Sequence, residues 1–323
     1  MKIKHHISII ALLLATTIAS AQEQQGNAIV QIFSNFHTRM YNYNNERGFE
    51  LERSYLGYQY KVNNSLSVKA VMDIGSPNAT SNDYNRLAYI KYAQVTWKTG
   101  NFVFQGGLIP TLLFNMQEKF WGYRYVMQSF QGEYKFGSSA DLGISASYKI
   151  TNWLSADAII ANGEGYKKLQ RQDGLLYGMG ITINSIKSLT FRVYTSLNEG
   201  VGNEANTQNL ALFAGYKCKW FSIGAESNYV KGLKHIPGHN MVGTSVYSTV
   251  RTCDINEIFI RYDNLGPMHT HTYSDEDEKS ITIGTQFKIG NHILIAPNFR
   301  IIDFQDGNEP NKYMAYINCS FNL

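Results

Sequence analysis

Apolar and polar residues alternate with a period of two along most of this chain. The stretch Phe49–Ile74, FELERSYLGYQYKVNNSLSVKAVMDI, sets the pattern. Two runs of about ten residues meet at Asn63-Asn64, a residue type that tolerates the left-handed backbone angles of a tight hairpin. In the second run Leu66, Val68, Ala70, Met72 and Ile74 share one face, while Ser67, Lys69 and Asp73 take the other. Period two is the signature of a strand with unlike surroundings on its two sides.

Sixteen such runs follow one another, at roughly 28–40, 49–62, 65–74, 87–98, 101–109, 138–149, 152–162, 174–185, 188–198, 207–218, 220–231, 241–253, 255–264, 278–289, 292–302 and 312–323. Their connections alternate between short and long. The short ones are NN, TGN, ITN, SIKS, KCKW, TCDI and KIGN; between them lie longer polar links such as YNYNNERG, GSPNATSNDYN, KGLKHIPGHN and NLGPMHTHTYSDEDE. That rhythm over an even strand count predicts an all-β, antiparallel transmembrane barrel with tight turns at one end and loops at the other. A soluble sandwich has no reason to keep it, and lipid demands closure because an open edge strands backbone groups in hydrocarbon. The last run, KYMAYINCSFNL, is expected to close the barrel against the first. Trp97, Trp153 and Trp220 all lie beside short turns, as in an aromatic girdle at one membrane face.

The first 21 residues break the pattern. MKIKHHISIIALLLATTIASA has two Lys, an apolar stretch and an Ala-Ser-Ala end, which reads as a signal peptide cleaved near Ala21. Residues 22–323 are then the barrel, destined for the outer membrane as a multi-pass protein. Removing the leader lowers the net charge from +4 to +2, too even for a nucleic-acid partner. Three cysteines, Cys218, Cys253 and Cys319, do not form a disulfide framework; one Cys218–Cys253 bridge between neighbouring turns stays open as an alternative to three inert thiols.

Barrels of about eight strands are filled by their own side chains, whereas sixteen leave an aqueous lumen. The faces opposite the apolar stripes carry Arg53, Gln59, Lys69, Asp73, Asp141, Asp157, Arg192, Glu226, Glu257, Arg261 and Arg300, so these residues are expected to point inward. A basic side chain at the lipid midplane would cost about 2–4 kcal/mol. Arg53, Lys69, Arg192, Arg261, Arg300, Glu226 and Glu257 are the predicted pore-lining wall. Inward glycines at 178, 180, 224 and 284 suggest open space beside it.

One connection stands apart. The third long link, Pro110 to about Gly137, contains NMQEKFWGYRYVMQSF and is the longest in the chain. Long links in compact proteins usually have a use, and irregular backbone at membrane depth is tolerated where it lines water or protein. Folded inward, it would pack Phe114, Phe120, Trp121, Tyr123 and Tyr125 on the wall and form the pore constriction with Glu118, Lys119, Trp121 and Arg124. Opposed charges across such an opening set ion preference.

Three segments, GFELERSYLGYQYKVNNSLSVKAVMDIG, LAYIKYAQVTWKTGNFVFQGGLIP and EKFWGYRY, resemble the phosphate-selective porin O and P family of Gram-negative outer membranes. DLGISASYKITNWLSADAIIANGEGY continues the likeness; the second half follows it in strand rhythm only. The resemblance implies a sixteen-stranded porin, commonly a homotrimer, whose third loop lines the constriction of a strongly basic pore. Here five acids share the wall with five bases, which points instead to a general channel for small hydrophilic solutes and ions, with mild anion preference at most. Lipid and lipopolysaccharide are the surrounding partners, and no cofactor is expected.

Other chemistry has little support in the residues. His37 and His292 lie near strand ends, and no His pairs with a Ser and an acid as a barrel hydrolase requires. His235, His239, His269 and His271 sit in two adjacent loops where Zn or Cu ligation is conceivable, and the acidic run Ser274–Glu278 suits Ca²⁺ or a solvated loop. A plugged barrel serving as a docking or adhesin-like structure is the alternative to an open pore.

Overall fold

The computed structural model describes residues 25–41, 44–77, 85–170, 173–184, 188–268, 277–304 and 310–323. The leader, His269, His271 and most of the acidic run lie outside them. Among the described residues sixteen strands run in chain order: β1 Gly26–Tyr41, β2 Asn44–Lys61, β3 Leu66–Pro77, β4 Arg86–Thr99, β5 Phe102–Pro110, β6 Ala140–Lys149, β7 Leu154–Ala161, β8 Leu176–Ile183, β9 Leu189–Asn198, β10 Thr207–Lys217, β11 Phe221–Lys231, β12 Met241–Cys253, β13 Asn256–Pro267, β14 Glu278–Ile289, β15 Ile293–Phe304 and β16 Lys312–Asn322.

Each strand pairs antiparallel with the next, and β16 returns to β1, with Gln31 opposite Asn322 and Met40 opposite Tyr313, so the sheet is a closed barrel without an edge. The period-two pattern becomes an inside and an outside. Along β11, Gly224, Glu226, Asn228 and Val230 are buried while Phe221, Ile223 and Tyr229 are exposed. Ile144, Met179, Ile181, Val193, Ile258 and Ile260 continue the exposed apolar belt, a surface matched to hydrocarbon. Trp97, Trp153 and Trp220 are half-exposed at the short-turn end.

Three expectations change. The described part of the link YNYNNERG is strand rather than loop: β1 and β2 stay paired out to Tyr41 opposite Asn44. Arg39 bridges to Glu46 at 3.2 Å and to Glu50 at 3.5 Å across this hairpin. Beyond the lipid both faces of a ladder meet water, so polar residues no longer signal its end. Second, the third connection is not irregular throughout but carries helix α1, Asn115–Trp121, and a single turn α2, Phe130–Glu133. Third, the inward glycines are not open space. A Cβ at Gly224 would meet the Tyr247 ring at 2.5 Å, and one at Gly284 would meet Phe259 at 2.5 Å. They are clearance for large neighbours. The three cysteines are free thiols.

The core lies inside the barrel. Trp121, Tyr123, Tyr125, Val126 and Met127 from the third connection pack with Phe213, Tyr247, Phe259 and Ala296 on one side and with Phe33, Tyr55 and Val71 on the other.

Candidate functional site

Helix α1 presents two faces. Gln117 and Trp121, four residues apart and therefore on one side, are both buried; Trp121 is 2% exposed and lies edge-on to Tyr247 of β12 and Phe259 of β13. Glu118 and Lys119 line a cavity on the opposite side. Gly122 ends the helix at φ 78°, donating its N–H to the Glu118 carbonyl at 3.0 Å. This left-handed stop suits glycine and turns the chain so that the Arg124 guanidinium returns to the Glu118 carboxylate at 3.1 Å.

The segments on either side of α1 are held by side chains from the barrel wall that donate to their backbone carbonyls. Arg192 bonds Leu112 at 3.1 Å, Arg261 bonds Gln128 at 2.5 Å, Arg300 bonds Val126, and Asn318 bonds Tyr125 at 3.1 Å. The Trp121 indole closes a further bond within the loop, to Met127 at 3.0 Å. Tyr123 donates to Glu257 at 2.9 Å and Tyr125 to Gln286 at 2.8 Å. Burial pushes both loop phenols well above their ordinary range, so they stay protonated and keep donating. Behind the second turn, Gln131 bonds Asn228 at 2.7 Å and Asn209 at 3.2 Å.

These contacts correct the expected wall. Arg192, Arg261, Arg300 and Glu226 do face inward, but Arg192, Arg261 and Glu226 are buried under the loop rather than bathed by the lumen, and Arg300 is half-buried. Arg261, 1% exposed, makes a two-point pair with Asp263 at 2.8 and 2.7 Å and stacks its guanidinium on Trp121. Arg192 reaches past β8 to a two-point pair with Asp157 at 2.6 and 2.8 Å. Gly180 on that intervening strand makes this possible, since a Cβ there would lie 2.5 Å from Arg192 and 2.7 Å from Asp157. Buried charges need such partners. Trp121, expected at the constriction, is part of the packing instead. Glu257 sits below the loop, 3.1 Å from Arg251.

What remains around water is smaller. A cavity of about 440 Å³ lies between α1 and the β1–β4 wall, bordered by Lys69, Lys91, Lys119 and Arg124 with Tyr55 and Tyr92. A second, of about 300 Å³ and also bordered by Phe33 and Arg124, lies toward the long-loop end and mixes Arg39, Arg53 and Arg300 with Glu50, Glu52 and Glu133. Phe33 and Arg124 border both cavities and therefore mark a neck between them. At that neck Arg53 pairs with Asp73 at 3.3 Å, and Tyr166 from the fourth long connection donates to Asp73 at 2.5 Å. With Arg124 paired to Glu118, three ammonium groups, Lys69, Lys91 and Lys119, are left without a carboxylate among the described residues. Lys69 feels the charge of the other two.

Lys91, Tyr55 and Tyr92 were not singled out from the sequence. A register shift between Val71 and Met72 turns both Lys91 and Tyr92 inward. The lone Lys in LAYIKYAQV, opposite in phase to Ile90, was the available signal. The loop histidines show no metal cluster among the described residues: His235 contacts the Ala205 carbonyl at 3.0 Å and His239 is buried.

Neither a family model nor a curated protein matches this chain. Solved structures do match in shape. An anion-selective porin from Comamonas acidovorans is 12% identical, with 92% of this chain and 99% of that one covered and a TM-score of 0.70. OprB of Pseudomonas putida gives 10%, 96% and 97%, and 0.73. OmpT of Vibrio cholerae, an outer membrane protein in its trimer form, gives 14%, 92% and 99%, and 0.64. At such identities the likeness defines the fold alone: a closed sixteen-stranded antiparallel barrel, the architecture of those structures.

Proposed function

We propose that this chain is an outer-membrane porin, cleaved near Ala21, that passes small hydrophilic solutes and ions by diffusion with a mild preference for anions. No catalytic step belongs to this reading. The observation that carries it is the cavity that Glu118, Lys119 and Arg124 border against the β1–β4 wall, where Lys69, Lys91 and Lys119 have no carboxylate partner among the described residues. Uncompensated charge of one sign in a narrow, poorly screened opening concentrates the opposite ion. A homotrimer, in a shell of lipid and lipopolysaccharide, accompanies the reading and is supported by the trimer form of the V. cholerae neighbour.

The test is reconstitution of refolded protein into a planar bilayer across a KCl gradient. Stepwise channels with a reversal potential displaced toward chloride are expected. Arg124→Glu sets two carboxylates at the neck and should move that potential toward potassium; an unchanged value removes Arg124 from the constriction. A folded but silent barrel would favour the plugged docking or adhesin-like alternative.

A further inference from the structure

The unneutralised side of the neck has a second property, an apolar floor. Ile29, Phe33, Val71 and Leu294 border the same cavity as Lys69 and Lys91. Lys91 is the unusual member, only 5% exposed. Its ammonium has three donors, yet its one acceptor among the described residues is the Tyr55 hydroxyl at 3.1 Å, which also accepts from Arg53 at 3.1 Å. Ring faces supply the rest of its surroundings: Tyr55 at 4.5 Å, Tyr92 at 5.6 Å and Tyr166 at 5.8 Å. Lys69 lies over Tyr92 at 4.6 Å. Cation–π contact offsets part of the desolvation of an ammonium, but a buried charge with unused donors is stabilised most by an anion that reaches it.

We propose, resting on the porin reading, that this cavity is a saturable subsite for monocarboxylates that carry a small apolar or aromatic body. The carboxylate takes the free donors of Lys91 and Lys69, with Lys119 opposite. The body lies on Phe33, Val71 and Leu294. The cavity volume, about 440 Å³, falls within the roughly 300–1,000 Å³ of small-molecule sites. Inorganic phosphate fits less well. Its oxygens need donors on every side, and here one side would lose water against hydrocarbon without replacement. Solutes bind briefly on their way through, so the subsite favours some anions over others without closing the pore to the rest.

Benzoate is the probe, with inorganic phosphate as the comparison, on the refolded full-length barrel in planar bilayers. Benzoate should lower single-channel current saturably and at lower concentration than phosphate. Lys91→Gln, by removing a charged hydrogen bond, should raise the half-blocking concentration about tenfold, and Lys69→Gln serves the same purpose should the first variant not fold. Leu294→Ser should weaken benzoate alone and leave the KCl reversal potential where it was. A linear, non-saturating response, phosphate blocking as well as benzoate, or indifference to Leu294→Ser would each overturn the subsite. Absence of any channel would instead count against the porin reading. Calorimetry of benzoate on the detergent-folded barrel then decides the subsite separately: saturable binding lost in Lys91→Gln or Lys69→Gln supports it, and no binding overturns it.

Discussion

Two walls of one lumen both carry cations and use them differently. Across β9–β15, Arg192 and Arg261 each hold a carboxylate at two points, and with Arg300 they donate to carbonyls of the third connection. Across β3–β4, Lys69 and Lys91 have tyrosine faces but no carboxylate among the described residues, and an open cavity lies in front of them. The first wall positions a loop; the second leaves its charge facing the open cavity. Arginine suits the former because its planar fork satisfies a carboxylate and a carbonyl together, while lysine is a compact point charge. Whether an inward cation belongs to the scaffold or to the pore depends on its counter-charge and its cover, not on its sign.

The contrast can be broken by substitution, most severely on the scaffold wall. Arg261→Met leaves Asp263 buried without its partner and the Gln128 carbonyl without its donor, which should cost about 3–5 kcal/mol. Thermal unfolding of the detergent-folded barrel reads this, and adding Asp263→Asn should recover much of the loss. If Arg261→Met instead altered ion selectivity at unchanged stability, Arg261 would belong with the pore. A smaller effect is expected from Trp121→Phe. It removes the indole bond to Met127 and some packing, about 1–2 kcal/mol, and a loosened loop should show as noisier, slightly larger single-channel conductance. Lys119→Gln marks the lower end. Surface-type changes of this sort stay within about 0.5 kcal/mol, so the melting temperature should hold while the chloride preference falls. A stability loss comparable to that of Arg261→Met would erase the distinction between the two walls.

The loop that carries His235 illustrates how little loop composition says by itself: its imidazole is occupied with the Ala205 backbone carbonyl. The glycines carry a similar lesson. Gly180 reads in sequence as empty space, yet its missing side chain is the gap through which Arg192 meets Asp157, two strands away.

Much of the architecture is written locally. Period-two alternation fixes which residue faces outward and which faces the lumen, and it does so for Asp141, Arg192, Glu226, Glu257 and Arg261 because each lies in a regular stretch of strand. The last strand's apolar face announces closure, and the exceptional length and aromatic content of the third connection announce that it has a place to pack. Period two even set Asp263 on the same face as Arg261, although nothing in the chain said the pair would be dry.

The tertiary structure alone decided which cations are free. Pairing across β8, the bulge that turns Lys91 inward and the loop that covers one wall but not the other all join residues far apart in the chain. Desolvation and Coulomb energy depend on distance and cover in space, so a linear pattern assigns a charge to the inside of the barrel but cannot say whether water or protein lies in front of it.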